Sequence, residues 1–483
     1  MMNNEKRSLT PEYLESILSR VAVGVLLAVI GAVAVFLTFF DRPEISVQEK
    51  RKLEPMPKLS ASAIFSGSYT KDFTKFYTDT VPMRDDLVNL GSSFNDLLGF
   101  RVGGVKIHGN TQRPTDDLPP DLPPDTPPVT EPKTEPATDP VTDPVSDPIT
   151  DPVTDEGSDT VTDPATEPIT EPATEPATEP VTEPLPDLDE ALYGDVGIIV
   201  LNKRAIMLYY GSYTCTLNYV NEMENYKRLL GDSVNVWSMI TPTHVSFYMP
   251  DKYKHLTNDQ PAHIKYAEES FKTVTEINSY EALLPHVNEN IYTRTDHHWS
   301  TLGAYYAAEA FAKKAGVPFA DISTYEKIER EGYVGTMYTY TEDAVLLNNP
   351  ETFVYYKPQN EYSVEYFDRN VENGFKSSLF FDWVDTPNSY LVFIGSDDRV
   401  THITTDCKNG RKLFIIKDSY GNALVPFLTG SFEEIWVADI RYFTKNTVEF
   451  MKEHGITDFL CSTCAFFSCG SLGAPYLESL RNQ

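Results

Sequence analysis

The fold class of this chain is indicated by the stretch Phe414-Ile415-Ile416-Lys417-Asp418-Ser419-Tyr420-Gly421-Asn422. Its first residues are apolar and read as a buried strand, and a helix is expected directly after the serine. A serine between a strand and a helix is where α/β folds place a nucleophile. Similar short strands are predicted at 196–201, 205–209, 234–240, 390–394, 412–416, 434–438 and 457–460.

Helical patterns fall between some of these strands. They are predicted at 262–274, 419–428 and 446–454, and Ser300 is expected to cap a helix through Ala315, because its hydroxyl can accept an unpaired backbone N–H. Short apolar strands that alternate with helices predict an α/β fold with a mostly parallel sheet, covered on both faces. Functional sites in such folds lie at the carboxyl ends of strands, which is where Ser419 stands.

A second segment, Thr293-Arg294-Thr295-Asp296-His297-His298-Trp299-Ser300, places one carboxylate beside two imidazoles. A serine hydroxyl becomes a nucleophile when a histidine takes its proton and a carboxylate orients that histidine. In an extended segment Asp296 and His298 project to the same side, which favours His298 as the base for Ser419. If the segment is turned, His297 is the alternative base.

Each of these features also has another interpretation. An Asp-Ser pair before a helix can serve only as a cap, and adjacent histidines can be hydrogen-bonded core residues. Asp296, His297 and His298 also suit a zinc or iron site. The residues alone leave these alternatives open, and our own prediction includes no metal and no cofactor.

An apolar run without any charge extends from Val21 to Phe40 and is long enough to cross a bilayer as a helix. A cleaved signal peptide is the alternative, with Ala32-Val33-Ala34 as its cleavage site, but the residues after that site remain apolar. Basic residues flank the run on both sides and do not decide its orientation. We expect residues 1–20 in the cytoplasm, 21–40 as an uncleaved membrane anchor, and the rest outside the cell.

Residues 111–190 form an acidic segment with 20 of the 35 prolines and no aromatic residue. From about Glu131 it repeats every four residues, as in Glu-Pro-Ala-Thr and Asp-Pro-Val-Thr. Frequent proline forbids a helix and favours polyproline II, and the lack of apolar surface predicts disorder. At about 3.1 Å per residue such a segment reaches on the order of 200 Å. We therefore expect a spacer that crosses a cell wall, with a neutral insertion as the alternative.

The charge of the chain is concentrated in this acidic segment. The segment contributes −20 to the net charge of −31, which leaves −11 for the rest. No basic face is present that would favour nucleic acid. Residues 41–110 include Phe73, Phe76 and Tyr77 at helical spacing. They predict helices that pack against the C-terminal domain or against a partner.

The chain has five cysteines, and three of them, Cys461, Cys464 and Cys469, lie close together near its end. A zinc site needs a fourth ligand and usually a second pair. These thiols are therefore expected to be buried core residues, and the sequence does not assign disulfide partners.

The chain resembles the DHHW-motif family of bacterial exported proteins. The resemblance rests on Arg294–Ser300, Leu302–Tyr305, Lys417–Asn422, Asp439–Tyr442 and Gln48–Leu53. That family is similar in turn to the SGNH-like alginate O-acetylation proteins, which have an Asp-x-His pair followed later by an Asp-Ser motif. The resemblance implies an SGNH-hydrolase-like three-layer domain at 191–483.

The same resemblance assigns roles to individual residues. It implies Ser419 as the nucleophile, His298 as the base and Asp296 as the group that orients it. Position near a helix N-terminus, rather than the resemblance, makes the backbone N–H groups of Ser419 and Tyr420 candidates for an oxyanion hole, with the Asn422 side chain as a further option. Arg441 and Tyr442 are candidates either for contact with a sugar or for a structural role.

Besides metal-dependent hydrolysis through Asp296, His297 and His298, two functions agree with these observations. The first is an exported serine-dependent O-acyltransferase or esterase that acts on cell-envelope polysaccharide, with a membrane-bound O-acyltransferase as an implied partner. The second is a non-catalytic surface display or scaffold protein with the same fold. The expected domains are 1–20, the anchor 21–40, a helical juxtamembrane segment 41–110, the acidic linker 111–190 and the catalytic domain 191–483.

Overall fold

The structure is a computed structural model. It describes residues 11–46, 51–60, 63–64, 68–84, 87, 105–109, 111, 117, 119, 197–395 and 397–483. The chain divides into two units, one formed by 1–120 with 186–483 and the other by 121–185. The second unit lies outside the described residues, as does the disorder that was predicted for it.

The secondary structure has the following bounds. The helices are α1 Pro11–Phe39, α2 Ser68–Asp79, α3 Tyr213–Leu230, α4 Val245–Tyr248, α5 Gln260–Ser270, α6 Ser279–Leu283, α7 Thr301–Ala315, α8 Thr336–Thr341, α9 Ala344–Leu347, α10 Gly421–Leu424, α11 Thr447–Glu453, α12 Ala465–Ser468 and α13 Gly473–Asn482. The strands are β1 Ile45–Ser46, β2 Arg51–Lys52, β3 Lys106–His108, β4 Ile198–Leu201, β5 Arg204–Met207, β6 Asn235–Thr241, β7 Thr275–Glu276, β8 Glu326–Tyr333, β9 Glu351–Lys357, β10 Tyr362–Phe367, β11 Phe375–Ser377, β12 Val400–Thr405, β13 Lys412–Lys417, β14 Glu434–Asp439 and β15 Asp458–Cys464.

The large sheet has eight strands in the order β11-β10-β12-β14-β13-β15-β6-β7. The five strands from β14 to β7 are parallel, with Ile415 of β13 opposite Val437 of β14 and Leu460 of β15. The strands β12, β10 and β11 extend the sheet antiparallel at one edge. The predicted mostly parallel sheet is confirmed, and the antiparallel edge was not predicted.

Helices cover both faces of this sheet. Phe459 of β15 contacts Tyr226 of α3, with ring centroids 5.1 Å apart. Trp237 of β6 lies beside Leu460 in the register and contacts Phe311 of α7 at 5.7 Å. Because Phe459 and Leu460 are successive residues of a strand, they point to opposite faces, and so α3 and α7 cover opposite faces. The predicted three-layer α/β architecture is confirmed.

One predicted strand is wrong. The residues predicted as a strand at 390–394 lie mostly in a 3₁₀ helix, Thr386–Val392, with Pro387 in its first turn. Proline suits that position because its fixed φ is helical and its missing N–H would have no partner there. Only Phe393 keeps a β-bridge, to Phe380. The other expected strands and helices of the C-terminal part are present within a few residues of their predicted bounds.

A small sheet joins the two sides of the acidic segment. Strand β3 pairs antiparallel with β4, which pairs with β5. His108 of β3 lies 3.0 Å from the Asp343 carboxylate. Asp117 accepts hydrogen bonds from the backbone N–H groups of Tyr213 and Thr214, at 2.7 and 2.8 Å, in the first turn of α3. Strand β3 before the acidic segment, Asp117 near its start and strand β4 after it therefore belong to the same folded unit.

Helix α1 contains the apolar run that was predicted to span the membrane. Its segment Arg20–Leu37 is long and apolar enough to cross a bilayer, and none of it is buried by the rest of the chain. Helix α2 is amphipathic and carries Phe73, Phe76 and Tyr77 on neighbouring turns. Residues 88–104 of the expected helical segment 41–110 lie outside the described part of the chain.

Candidate active site

The Asp-His-His segment forms a tight bend in front of α7. The bend is closed by a β-bridge between Tyr292 and Trp299. Inside it, the Thr293 hydroxyl donates to the carbonyl oxygen of His298 at 3.0 Å. The backbone N–H of Ala205 in β5 donates to the Arg294 carbonyl at 2.9 Å. Ser300 caps α7 as predicted, by accepting from the Gly303 N–H. The small sheet therefore supports the bend from outside.

The bend brings the three predicted groups into one hydrogen-bonded line. Nε2 of His298 lies 2.7 Å from Oγ of Ser419, and Nδ1 of His298 lies 2.6 Å from Oδ1 of Asp296. The backbone N–H of His298 donates to the same carboxylate oxygen at 3.0 Å. The segment is bent rather than extended, so the extended geometry used to prefer His298 was wrong. His298 is nevertheless the histidine that contacts Ser419.

Two further bonds fasten the bend to the serine segment. The indole N–H of Trp299 donates to the Tyr420 carbonyl at 3.0 Å, and the Tyr420 hydroxyl donates to the His297 carbonyl. Trp299 and Tyr420 are both fully buried. Segments 121 residues apart in the chain are thus locked together on both sides of the His298–Ser419 contact.

The second oxygen of the Asp296 carboxylate is also held. It accepts from the Tyr333 hydroxyl at 2.9 Å and from the backbone N–H and the hydroxyl of Thr336 at 2.8 and 3.0 Å. Gly335 permits this approach, since a Cβ there would lie 2.3 Å from the Cβ of Asp296. With donors on both oxygens, the carboxylate is oriented and stabilised as an anion.

His297 takes part in a different set of contacts. Its Nδ1 lies 2.6 Å from the Thr336 hydroxyl, and no hydrogen bond to Ser419 is among its described contacts. The ligand atoms of Asp296, His297 and His298 all lie within 4.8 Å of one another, which is close enough for a metal. A metal on His298 Nδ1 and Asp296 would have to replace the short bond between them and the donors from Tyr333 and Thr336. The hydrogen bonds therefore fit a proton relay better than a metal centre.

The backbone N–H groups near Ser419 differ in whether they already donate a hydrogen bond within the protein. The N–H of Tyr420 donates to the Asp418 carboxylate at 3.0 Å, so it is not free for an oxyanion. The N–H of Ser419 donates to no acceptor in the part of the chain that the structure describes. It is the best backbone donor for a developing negative charge on a substrate. The Asn422 amide points elsewhere and donates to Asp397 at 2.9 Å.

A buried charged cluster lies beside Ser419. Lys417 donates to Asp397 and Asp439 at 2.7 and 2.9 Å, and Arg441 bonds the same two carboxylates at 2.7 Å each. Burial opposes the charge of Lys417, but the two carboxylates outweigh it and raise the pKa of the lysine. Burial likewise opposes the charge of Asp397, yet Lys417 and Arg441 lower the pKa of its carboxyl well below the usual range. The cluster holds two anions and two cations and fixes the segment on which Ser419 lies.

The remaining predicted residues lie around this cluster. The Arg441 guanidinium is engaged with Asp397 and Asp439 rather than open to a ligand. Tyr442 is partly exposed, and the guanidinium groups of Arg369 and Arg441 lie 5.0 and 5.2 Å from the centroid of its ring. Asp418 is buried, which raises the pKa of its carboxyl, and it accepts from the backbone N–H groups of Tyr420 and Cys464.

The structure adds residues that the sequence did not single out. Tyr333, Thr336 and Tyr390 touch Asp296 or His298, and Asp397 joins the charged cluster. Tyr333 ends strand β8, and the other three lie in a loop or in short helices, with no motif of their own. All five cysteines are free thiols, and Cys461, Cys464 and Cys469 are buried in the core as expected.

A family model described as DHHW protein matches residues 189–438, which is more than half of the chain. This chain belongs to the DHHW family. The resemblance inferred from its motifs is therefore confirmed. No protein with a curated description matches the chain.

Several solved structures are similar to this DHHW protein. A DHHW family protein from Eubacterium siraeum is 40% identical, with a TM-score of 0.56, and the match covers 59% of this chain and 94% of that one. PatB1 of Bacillus cereus with a sulfonyl adduct is 17% identical, with a TM-score of 0.49 over 57% and 96%. The O-acetyltransferase domain of Pseudomonas putida AlgJ is 12% identical, with a TM-score of 0.35 over 59% and 98%.

Proposed function

We propose that this DHHW protein is a serine-dependent acyl-transfer enzyme, an O-acyltransferase or esterase of cell-envelope polysaccharide. The observation that carries the proposal is the hydrogen-bonded line from Asp296 through His298 to Ser419. Asp296 and His298 are buried, at 1% and 5% exposure, whereas Ser419 is partly exposed. A relay whose acid and base are buried, and whose nucleophile is partly exposed, suits attack on an ester that arrives from solvent.

The first half of the reaction transfers an acyl group to the enzyme. Nε2 of His298 takes the proton of Ser419 while Oγ of Ser419 bonds to the ester carbonyl carbon. The carbonyl electrons move to the oxygen, which the Ser419 N–H can stabilise. When the tetrahedral species collapses, the bond to the leaving alcohol breaks and His298 returns the proton to that alcohol. Asp296 holds the imidazole in the required tautomer and stabilises its protonated form.

The second half reverses these steps with a new acceptor. Water or a sugar hydroxyl loses its proton to His298 and attacks the acyl carbon, and Ser419 leaves with that proton. Water as the acceptor gives an esterase, and a sugar hydroxyl gives a transferase. The same three groups serve both outcomes, so the acceptor decides the activity.

We further propose that α1 anchors the protein in the cell membrane with the C-terminal domain outside. The length and apolar character of α1 support the anchor. A membrane-bound O-acyltransferase would then supply acyl groups across the bilayer, and a cell-envelope polysaccharide would receive them. No cofactor is required, since the relay residues carry every proton transfer.

Hydrolysis of p-nitrophenyl acetate by the purified protein tests the proposal. Ser419→Ala should remove the turnover, whereas Ser363→Ala, at an exposed serine of β10, should leave it unchanged. A wild type without any turnover that depends on Ser419 would support the second candidate, a display or scaffold protein. That alternative retains the fold but does not explain why Asp296, His298 and Ser419 lie in line.

A further inference from the structure

The two flanks of the acidic segment are fixed to one domain. Before the segment, β3 pairs with β4, and Asp117 near the start of the segment holds the first turn of α3. Strand β4 itself follows the segment in the chain. Residues 1–120 and 186–483 accordingly form one unit. A segment whose two ends bind the same domain is a loop that begins and ends on that domain, whatever its length. It therefore adds nothing to the distance between α1 and the domain.

The chain near the proposed anchor is also folded back. Arg42, three residues after α1, donates to the carbonyl oxygens of Leu37, Tyr77 and Thr80, at 3.2 to 3.3 Å. Its guanidinium lies 4.4 Å from the centroid of the Tyr77 ring. The backbone N–H of Glu54 donates to the Asp79 carboxylate at 2.8 Å. The end of α2 is thus held at the end of α1, and residues 43–76 add no length to the tether either.

The tether, meaning the stretch of chain that can separate the anchor from the domain, is consequently short in residues. Only residues 85–104 lie between Arg84, which pairs with Asp79, and Val105, which precedes β3. Even a fully extended chain of that length spans at most about 70 Å, at ~3.3 Å per residue. A spacer made of the acidic segment would instead add on the order of 200 Å.

We infer that the active site works at the membrane surface, on acceptor chains that lie within reach of this short tether. The substrate class is then membrane-proximal polysaccharide, such as a chain still being exported, rather than polymer in the outer layers of the envelope. An acyl donor that arrives through a membrane protein would be met at the same surface. This inference rests on the proposed function and on α1 as its anchor.

Energy transfer in vesicles tests the tether independently of catalysis. The full-length protein with Ser419→Ala carries a fluorescent protein after Gln483 and is reconstituted into vesicles that contain an acceptor lipid dye. One variant lacks residues 131–182, and a second contains that stretch twice. A third carries a Gly/Ser linker of the same length before Val105, which adds ~40 Å of root-mean-square reach.

The short tether predicts the same transfer efficiency for the wild type, the deletion and the duplication, and a lower efficiency for the linker variant. If the efficiency rises in the deletion and falls in the duplication, the acidic segment is a spacer and the inference is overturned. The duplication keeps every native residue, so it decides the question even if the deletion fails to fold. If the full-length protein does not float with vesicles, α1 is not a membrane anchor and the inference is overturned. Turnover by the unmodified protein tests the chemistry separately.

Discussion

The ring of Tyr390 lies flat on the imidazole of His298, with centroids 3.8 Å apart and planes inclined by 8°. The Tyr390 hydroxyl donates to the carbonyl oxygen of Ser419 at 2.9 Å. One side chain therefore supports both the base and the backbone of the nucleophile. An aromatic face also stabilises a cation above it, which favours the imidazolium formed during acyl transfer.

Two substitutions separate the roles of Tyr390. Tyr390→Phe keeps the ring and removes one hydrogen bond, so kcat/KM for p-nitrophenyl acetate should fall by a factor of about 2 to 10. Tyr390→Leu removes the aromatic face as well, and we expect a loss of ~10 to 100-fold from the combined effects. Equal activities of both variants and wild type would exclude this positioning role.

Substitutions of His297 and His298 should have very different effects on kcat. His298→Gln removes the group that contacts both Asp296 and Ser419, and kcat should fall by ~10³-fold or more. His297→Gln retains a side chain that can bond the Thr336 hydroxyl, so kcat should stay within a few-fold of wild type. Thermal unfolding of both variants controls for misfolding. The opposite order of activities would assign the base to His297.

The buried carboxyl of Glu276 should make the free energy of unfolding depend on pH. This residue of β7 is 5% exposed, its Oε1 accepts from the Ile240 N–H at 3.1 Å, and its Oε2 has no partner among the described residues. Burial raises the pKa of its carboxyl to about 8. Between the usual carboxyl pKa of 4.5 and about 8, the unfolded chain loses the proton while the folded chain keeps it. The free energy of unfolding should therefore fall as pH rises through this window, by at most ~1.4 kcal/mol per pH unit.

Glu276→Gln should remove this dependence, since an amide resembles the protonated carboxyl in shape. The variant should gain stability over wild type at pH 8 but not at pH 4.5, as measured by urea unfolding. The exposed Glu281→Gln is the matched control and should follow wild type at both pH values. Parallel pH curves for Glu276→Gln and wild type would show that the carboxyl is hydrated or ionised in the folded protein.

Residues 105–119 should be required for a stable domain. A fragment of residues 197–483 lacks the β3 partner of β4 and the acceptor for two N–H groups of α3. A version that joins 105–119 to 197–483 through a short linker should have a clearly higher Tm. Within that version, Asp117→Ala should cost ~1 kcal/mol, as removal of other helix caps does. Equal Tm values for the two versions would show that β3 contributes nothing.

The contribution of Asp117 should also depend on pH. Burial alone would raise the pKa of its carboxyl, but hydrogen bonds from Thr214 and Tyr213 outweigh burial and lower it. Such a group stabilises the fold above its unfolded pKa, and this stabilisation is lost as pH falls through the lower, folded value. The difference between wild type and Asp117→Ala should hence be full at pH 7 and shrink in strong acid.

The parts of the site that follow from local sequence were predicted, and the parts that depend on distant contacts were not. Asp296, His298 and Ser419 carry a recognisable pattern, and β13 has a clear apolar run. Residues 390–394 are equally apolar, but Pro387 starts a 3₁₀ turn, and tertiary contacts decide the outcome. The pairing of β3 with β4 joins residues some ninety positions apart across a low-complexity stretch, and no periodicity indicates it.

Trapping of an acyl-enzyme would show whether Ser419 carries the acyl group. The purified protein is mixed with p-nitrophenyl acetate, quenched in acid within the first turnovers, and digested for peptide mass spectrometry. We expect one acetyl group on the peptide that contains Ser419, and none in Ser419→Ala or His298→Gln. Turnover without any acetyl group on Ser419, or acetylation that persists at the same rate in His298→Gln, would contradict a relay through these three residues.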